Sequence, residues 1–125
     1  MKRWRGSWHL VAAAFIAGAV AGLAPHIASA AQEELIAQGK AAFTHRCVMC
    51  HREGQTGTFI LARRLGKEKS LLEQRTDLQP AYIRQVVRAG LVNMPRLSRV
   101  EMPDPDLDAV IAYLTAPKSS SGTAP

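Results

Sequence analysis

Three residues in one short stretch carry the side chains best suited to chemistry in this chain. They are Cys47, Cys50 and His51, in the pattern Cys-x-x-Cys-His. Two thiols at this spacing can each add across one vinyl group of a haem, which forms two thioether bonds. The histidine that follows then lies beside the macrocycle, with one imidazole nitrogen facing the iron. The pattern predicts covalent attachment of one haem, with His51 as the proximal iron ligand.

Two other uses of these residues are less well supported by the sequence. A redox-active dithiol of the thioredoxin type requires a βαβ context, and the chain has no alternating apolar pattern long enough for a strand. A structural zinc site needs four ligands, usually in two separated pairs. Beyond residue 30 the only histidines are His45 and His51, which lie beside the two cysteines. We therefore expect His45 at the surface or pocket edge, and both thiols bonded to haem with no disulfide.

Residues 1–30 are typical of a secretory signal peptide. Lys2, Arg3 and Arg5 form a basic start, the stretch 10–23 is almost entirely apolar, and residues 28–30 read Ala-Ser-Ala. The apolar stretch is about 14 residues, shorter than the roughly 20 that a spanning helix needs. Cleavage is therefore favoured over an anchor retained at the outer face of the inner membrane. Since the two arginines are not adjacent, Sec-type export to the periplasm is expected.

The remaining chain has room for one small domain. The sequence has 125 residues and a formal net charge of +6, of which the predicted signal peptide carries three positive charges. The basic character is therefore no evidence for nucleic-acid binding. We expect the domain at residues 31–116 and a flexible tail at 117–125. Because a chain of this size buries only a modest core, folding should depend on a large apolar cofactor.

Three stretches have the periodicity of amphipathic helices, and none predicts a strand. The first runs from Glu33 to about Cys47, with apolar residues at three- and four-residue steps. The second is Pro80–Ala89, because proline suits a first helical position and Gly90 a C-terminal cap. The third runs from Asp104, expected as N-cap, to about Thr115. Only short helical turns are expected between residues 52 and 79. The sequence therefore indicates an all-α fold.

This order of elements resembles the class I monohaem c-type cytochromes of the bacterial periplasm. Cys-x-x-Cys-His ends the first helix, Met94-Pro95 lies in a loop, and Tyr113-Leu114 lies in the last helix. The resemblance implies three main helices around one haem. It also implies that Gly39 and Phe43 mark the place where the last helix crosses the first. Residues 52–79 depart from the family, because no proline supplies a carbonyl for the imidazole N–H. Another carbonyl is therefore expected to orient His51.

The distal iron ligand is expected to be a methionine. Met49 lies inside the attachment motif and cannot reach the far face of a haem. Met94 and Met102 each precede a proline, but Met102 stands just before the last helix. Met94 lies in the middle of its loop, where the family places its ligand. We therefore expect Met94 to bind the iron. The alternatives are that this methionine only packs, or that the sixth position is open.

The resemblance implies a single-electron carrier that is not itself an enzyme. Its partners would be redox proteins: a dehydrogenase as donor, and a terminal oxidase or another cytochrome as acceptor. The alternative is a cytochrome subunit that serves one periplasmic dehydrogenase with a flavin, quinone or molybdenum centre. A haem-based sensor would require an open sixth site. A charge run is usually a solvated face, but Arg96 and Arg99 lie close to the ligand loop. We expect these two arginines to steer docking onto an acidic partner.

Overall fold

The structure, a computed structural model, describes residues 24–118 and the side chains from Ala28 onward. Its helices are α1 (Ala24–Arg46), α2 (Val48–His51), α3 (Thr56–Leu65), α4 (Pro80–Ala89) and α5 (Asp104–Thr115). Two 3₁₀ turns, Lys67–Lys69 and Leu72–Gln74, follow α3. This part of the chain has no strand, only an isolated bridge between Leu91 and Met94. The predicted all-α fold is confirmed.

Both ends of the chain extend beyond the described residues 24–118. Most of the predicted signal peptide and residues 119–125 of the predicted tail lie outside the described residues. The chain divides into two compact units, residues 1–33 and 34–125, and every site residue discussed below belongs to the second. None of the helices within residues 24–118 has the length and apolar content needed to cross a membrane.

The predicted helices are present, with two differences at their starts. α4 matches its predicted range, begins with proline and is followed by Gly90 at φ 77°. α5 begins at Asp104 itself, and its N-cap is Pro103, so the prediction of Asp104 as the cap is wrong by one residue. α1 begins at Ala24, well before the predicted Glu33. The alanines preceding Glu33 have high helix propensity and continue the helix past the expected cleavage site.

The segment after the attachment motif is more regular than predicted. α3 is a ten-residue helix, where only short turns were expected. Thr58 is the one buried residue of this helix, and Leu61 and Ala62, three and four residues further along the same face, are half-buried. Gly57 and Ile60 are also half-buried. Leu65 is 43% exposed in spite of its apolar side chain. It is the last residue of α3, immediately before the turn at Gly66.

The core is centred on α5. This helix contributes more of the buried apolar side chains than any other element, and each such side chain stabilises the fold by about 1.5–3 kcal/mol. The buried cluster consists of Phe43, Leu78, Ile83, Val87, Met102, Leu107, Val110, Ile111 and Leu114. The ends of α1 and α4 therefore pack on one common core.

A glycine allows the backbones of α1 and α5 to approach each other closely where the two helices cross. A Cβ atom at Gly39 would lie 1.9 Å from the carbonyl oxygen of Ala109 and 2.8 Å from the Cβ of Tyr113. One turn further along α1, the rings of Phe43 and Tyr113 pack with their centroids 5.8 Å apart. The crossing expected at Gly39 and Phe43 is therefore present. The hydroxyl of Tyr113 also donates a hydrogen bond to Glu73, while its ring packs against Phe43.

Replacing this glycine should destabilise the protein, although alanine is the better helix former. Propensity alone would favour Gly39→Ala by about 1 kcal/mol. We expect instead that the free energy of unfolding falls by about 1–3 kcal/mol, because the added methyl forces the helices apart. The measurement is urea denaturation of the haem-loaded protein. As a control, exposed Gln38→Ala should change the value by less than about 0.5 kcal/mol. Equal stability of Gly39→Ala and the parent would contradict the close crossing.

Candidate haem-binding site

The attachment motif forms one tight turn directly after α1. The amide of Cys47 donates to the carbonyl of Phe43 at 2.8 Å, which continues the hydrogen bonding of α1. The amides of Cys50 and His51 then both donate to the carbonyl of Cys47, at 3.1 and 2.9 Å. Both thiols are free, with Cys50 exposed and Cys47 half-buried against the core. The turn thus brings two available thiols and one imidazole together at the end of a fixed helix.

Cys47 does not have the character of a reactive redox thiol. Burial raises the pKa of Cys47 to about 11, and this outweighs the opposite effect of Arg46. Catalytic dithiols instead have a lowered pKa, since the thiolate is the reactive form. No group of three or more His, Cys, Asp or Glu side chains suited to a metal occurs among residues 24–118. The rival dithiol and zinc interpretations therefore find no support in the geometry.

His51 is held as a neutral ring. Burial lowers the pKa of its imidazole, which favours the neutral form that metal coordination requires. Its Nδ1 atom is buried and has no hydrogen-bond partner within the described part of the chain. The carbonyl acceptor expected for His51 is therefore not found. Metal-bound histidines direct one ring nitrogen at the metal and the other into the protein. The buried Nδ1 would take the second position, which would leave Nε2 for iron.

Gly57 is a site residue that the sequence analysis missed. It is the second residue of α3, and a Cβ atom there would lie 2.6 Å from the carbonyl oxygen of Cys50. The same Cβ would lie 3.3 Å from Cε1 of His51. The start of α3 therefore packs directly on the attachment turn, and only glycine allows this approach. Because no helix was predicted over residues 56–65, the sequence offered no signal that would have identified Gly57.

Met94 closes a tight turn beside the core. The amide of Leu91 donates to the carbonyl of Met94 at 3.0 Å, and the amide of Met94 donates back at 2.9 Å. Met94 is half-buried and packs against the cluster that Cys47 also contacts. Met102 is instead a core residue, only 1% exposed. Of the two candidate ligands, Met94 is the one presented by a loop, whereas Met102 is enclosed by packing.

Arg88 fastens the segment that follows Met94. From α4, its Nη1 donates to the carbonyl of Leu97 at 3.1 Å, and its Nη2 to that of Met102 at 2.8 Å. Nη2 also donates to the Asp104 carboxylate at 2.7 Å. Hydrogen bonds from Arg99 and then Arg88 lower the pKa of Asp104, which keeps it ionised at neutral pH. Nothing in the sequence distinguishes Arg88 from the other basic residues as the anchor of this segment.

The basic residues divide into paired and unpaired groups. Arg99, one of the two expected docking residues, is engaged with Asp104 at 2.8 Å. Among the described residues Arg96 makes no ion pair and is exposed. Five other cations are likewise paired with carboxylates: Arg46, Lys69, Arg75, Arg84 and Arg88. Within this part of the chain Arg96 has no ion-pair partner, although, together with hydrogen bonds from Ser98, its charge helps to lower the pKa of Glu101. The charge of Arg99 is instead partly compensated by Asp104.

The turn before Met94 contains a strained residue. Val92 has φ 53°, the only positive φ of a non-glycine residue in the described part, and its side chain is 77% exposed. The left-handed region is unfavourable for an L-residue by about 1–2 kcal/mol. Val92→Gly should relieve this strain and leave the free energy of unfolding equal to or above that of the parent.

A second exposed valine is the matched control for this experiment. Val100 is 91% exposed and does not have a positive φ. Val100→Gly should lower the free energy of unfolding by about 0.5–1 kcal/mol, because glycine has more freedom to lose on folding. Thermal or urea denaturation of both variants measures the difference. Equal destabilisation by the two substitutions would contradict strain at Val92.

The four candidate residues fit a covalently bound haem. Cys47 and Cys50 are free thiols in one turn, and His51 is a neutral imidazole with Nδ1 directed into the protein. Met94 supplies a thioether sulfur from a loop packed on the same core. Two thiols, an imidazole and a thioether form the donor set that attaches haem and binds its iron on both sides.

Comparison with protein families gives the same result. The family model described as "Cytochrome C oxidase, cbb3-type, subunit III" matches residues 34–114, a range that includes all four candidate residues. No curated protein and no solved structure matched at the significance required. The chain therefore belongs to this family of c-type cytochrome domains, and is an electron-transfer protein with covalently bound haem c rather than an enzyme.

Proposed function

We propose that this chain is a periplasmic single-electron carrier with one haem c, ligated by His51 and Met94. One observation carries the ligand assignment. Met94 is presented by a closed turn and packs on the cluster that Cys47 contacts, whereas Met102 is buried inside that cluster. These positions support Met94 over Met102 as the distal ligand.

Each residue has a distinct part in this function. When bound, haem supplies an iron that cycles between ferric and ferrous forms. Cys47 and Cys50 hold the cofactor by thioether bonds, and His51 donates a neutral nitrogen on the proximal side. Met94 donates a soft sulfur, which raises the reduction potential. Because His51 and Met94 would both be bound to the iron, no substrate would bind it, and the chemistry that the group supplies would be limited to electron transfer.

Arg88 keeps the distal side in one geometry. Its hydrogen bonds to the carbonyls of Leu97 and Met102 fix the segment that follows Met94. A ligand held by a rigid segment moves little when the iron changes oxidation state. When the two oxidation states differ little in structure, the activation barrier to electron transfer is low, because the fold has already placed the polar groups around the site.

We also propose export as the route by which haem is attached. The support is the sequence of residues 1–30: a basic start, a short apolar stretch and Ala28-Ser29-Ala30. In this family the thioether bonds form on the outer side of the membrane. Removal of the segment gives a free periplasmic protein, and its retention gives one anchored to the outer face of the inner membrane.

We assign partner docking to Arg96. This side chain is exposed, lies two residues from Met94 and takes part in none of the ion pairs among the described residues. An acidic redox partner would be drawn to this side by long-range attraction that weakens as salt is added. The observation that favours the dedicated-subunit alternative is Phe59, which is 60% exposed on α3 with Arg63 stacked on its ring at 5.8 Å. An exposed aromatic suits a lasting interface with one dehydrogenase.

The ligand assignment is tested by comparing two methionine variants. The ferric protein should show the far-red charge-transfer band of a sulfur–iron bond. Met94→Ala should abolish this band, because the sulfur is removed. Met102→Ala should retain it and lower the free energy of unfolding by about 2–5 kcal/mol, as expected for a core truncation. Visible spectroscopy and urea denaturation of both periplasmically matured variants provide the two measurements.

Two results of that comparison would change the ligand assignment, and one separate isolation experiment would change the proposed role. A high-spin spectrum of the parent would favour the sensor with an open sixth site. A band that survives in Met94→Ala but disappears in Met102→Ala would transfer the ligand role to Met102. A stoichiometric complex with one dehydrogenase that resists high salt, isolated from native periplasm, would favour the dedicated subunit over a free carrier.

The docking role of Arg96 can be measured with a defined small oxidant. Oxidation of the ferrous protein by hexacyanoferrate(III), a trivalent anion, should slow about two- to threefold in Arg96→Gln at low ionic strength. Arg84→Gln is the matched control, since it removes the same charge from an arginine already paired with Asp108. Stopped-flow rates should differ between the two variants at low salt and converge at high salt. Equal rates at low salt would contradict a special role for Arg96.

A further inference from the structure

Two buried polar atoms near the attachment turn have no hydrogen-bond partner. They are Nδ1 of His51 and Oγ1 of Thr58. Protein interiors leave very few such atoms unpaired, because each one costs about 1–3 kcal/mol. The third unpaired atom in the described part of the chain is Nε of Arg88, which belongs to the distal loop. The proximal side thus holds two of the three, one on each of two successive helices.

These two helices pack directly against each other. α2 ends at His51, and α3 carries Thr58 in its first turn. Gly57, the residue immediately before Thr58, approaches the ring so closely that its Cβ would lie 3.3 Å from Cε1 of His51. Cε1 is the ring carbon bonded to both nitrogens. Thr58 itself is only 7% exposed, so its hydroxyl lies inside the protein, next to the residue that contacts the imidazole.

The chemistry of the two atoms is complementary. A neutral imidazole that offers Nε2 to iron carries its proton on Nδ1, which is then a donor. A threonine hydroxyl can accept that hydrogen bond. Histidines bound to metals almost always donate their second N–H to an acceptor, which fixes the ring and raises its basicity. Among residues 24–118 no carbonyl takes that position, and the sequence has no proline between His51 and Gln79.

We propose that Thr58 is the positioning residue of the proximal ligand: in the haem-loaded protein, its hydroxyl accepts the hydrogen bond from His51 Nδ1–H. The inference rests on the proposed ligation by His51. One bond satisfies both buried atoms. It also makes the imidazole a stronger donor, which stabilises ferric over ferrous iron. A side-chain hydroxyl on α3 thus replaces the backbone carbonyl expected from the family.

The test compares Thr58→Val, which has nearly the same shape but no hydroxyl, with Thr58→Ser, which retains it. Loss of the acceptor should favour the ferrous form, so the ferrous-to-ferric ratio at a fixed ambient potential should rise about threefold or more in Thr58→Val. Thr58→Ser should stay close to the parent. In NMR spectra of the ferrous protein, the Nδ1 proton of His51 should exchange with solvent about tenfold faster in Thr58→Val. Exposed Thr56→Val, two residues away, should change neither quantity.

The outcomes separate this inference from the proposed function. A parent-like redox ratio and a protected Nδ1 proton in Thr58→Val would overturn it. An equal shift in Thr58→Ser and Thr58→Val would also overturn it, because packing and not the hydroxyl would then be responsible. If Thr58→Val does not mature, Thr58→Ala removes the same hydroxyl and is held to the same readouts. Throughout, a low-spin spectrum with the sulfur–iron band shows that the ligation by His51 and Met94 is intact, whichever way Thr58 behaves.

Discussion

The close crossing of α1 and α5 at Gly39 is the constraint on which the site depends. α1 ends where the attachment turn begins, and α5 begins just after the loop that presents Met94. Because no side chain separates the helices at Gly39, the two ends are held at a fixed separation. Arg46 strengthens this arrangement by donating from the end of α1 to the carbonyl of Glu101. The two proposed iron ligands, His51 and Met94, are therefore both positioned by this helix pair.

The distal loop combines a strained turn with a firm anchor. Val92 takes a positive φ at the tip of the turn, and a strained backbone conformation of this kind persists only where neighbouring interactions hold it in place. Here the turn is held by the two backbone hydrogen bonds between Leu91 and Met94, and the far side of the loop by the hydrogen bonds of Arg88. Rigidity on both sides of Met94 suits an electron carrier, in which the ligand geometry should be the same in both oxidation states.

The proximal side shows how a departure from the family pattern can be accommodated. α3 occupies the region where many relatives have a proline-containing loop, and Gly57 lets its first turn contact Cys50 and His51. A helix satisfies its backbone groups internally, so it has fewer free carbonyls to offer the imidazole than an irregular loop has. This explains why Nδ1 of His51 finds no carbonyl, and why a side chain is the natural acceptor.

The sequence by itself determined the attachment motif, the all-α fold, the extent of α4 and the contact of Gly39 with the last helix. These features follow from short-range spacing: thiols three residues apart, apolar residues at helical steps, and a glycine one turn before an aromatic. Only the tertiary structure decided that Met102 is enclosed in the core, that Arg88 fastens the loop, and that Gly57 meets His51. It also decided that Asp104 partly compensates Arg99 while Arg96 stays unpaired. Such partners lie on different elements, and their contacts depend on how helices pack, which local sequence spacing does not encode.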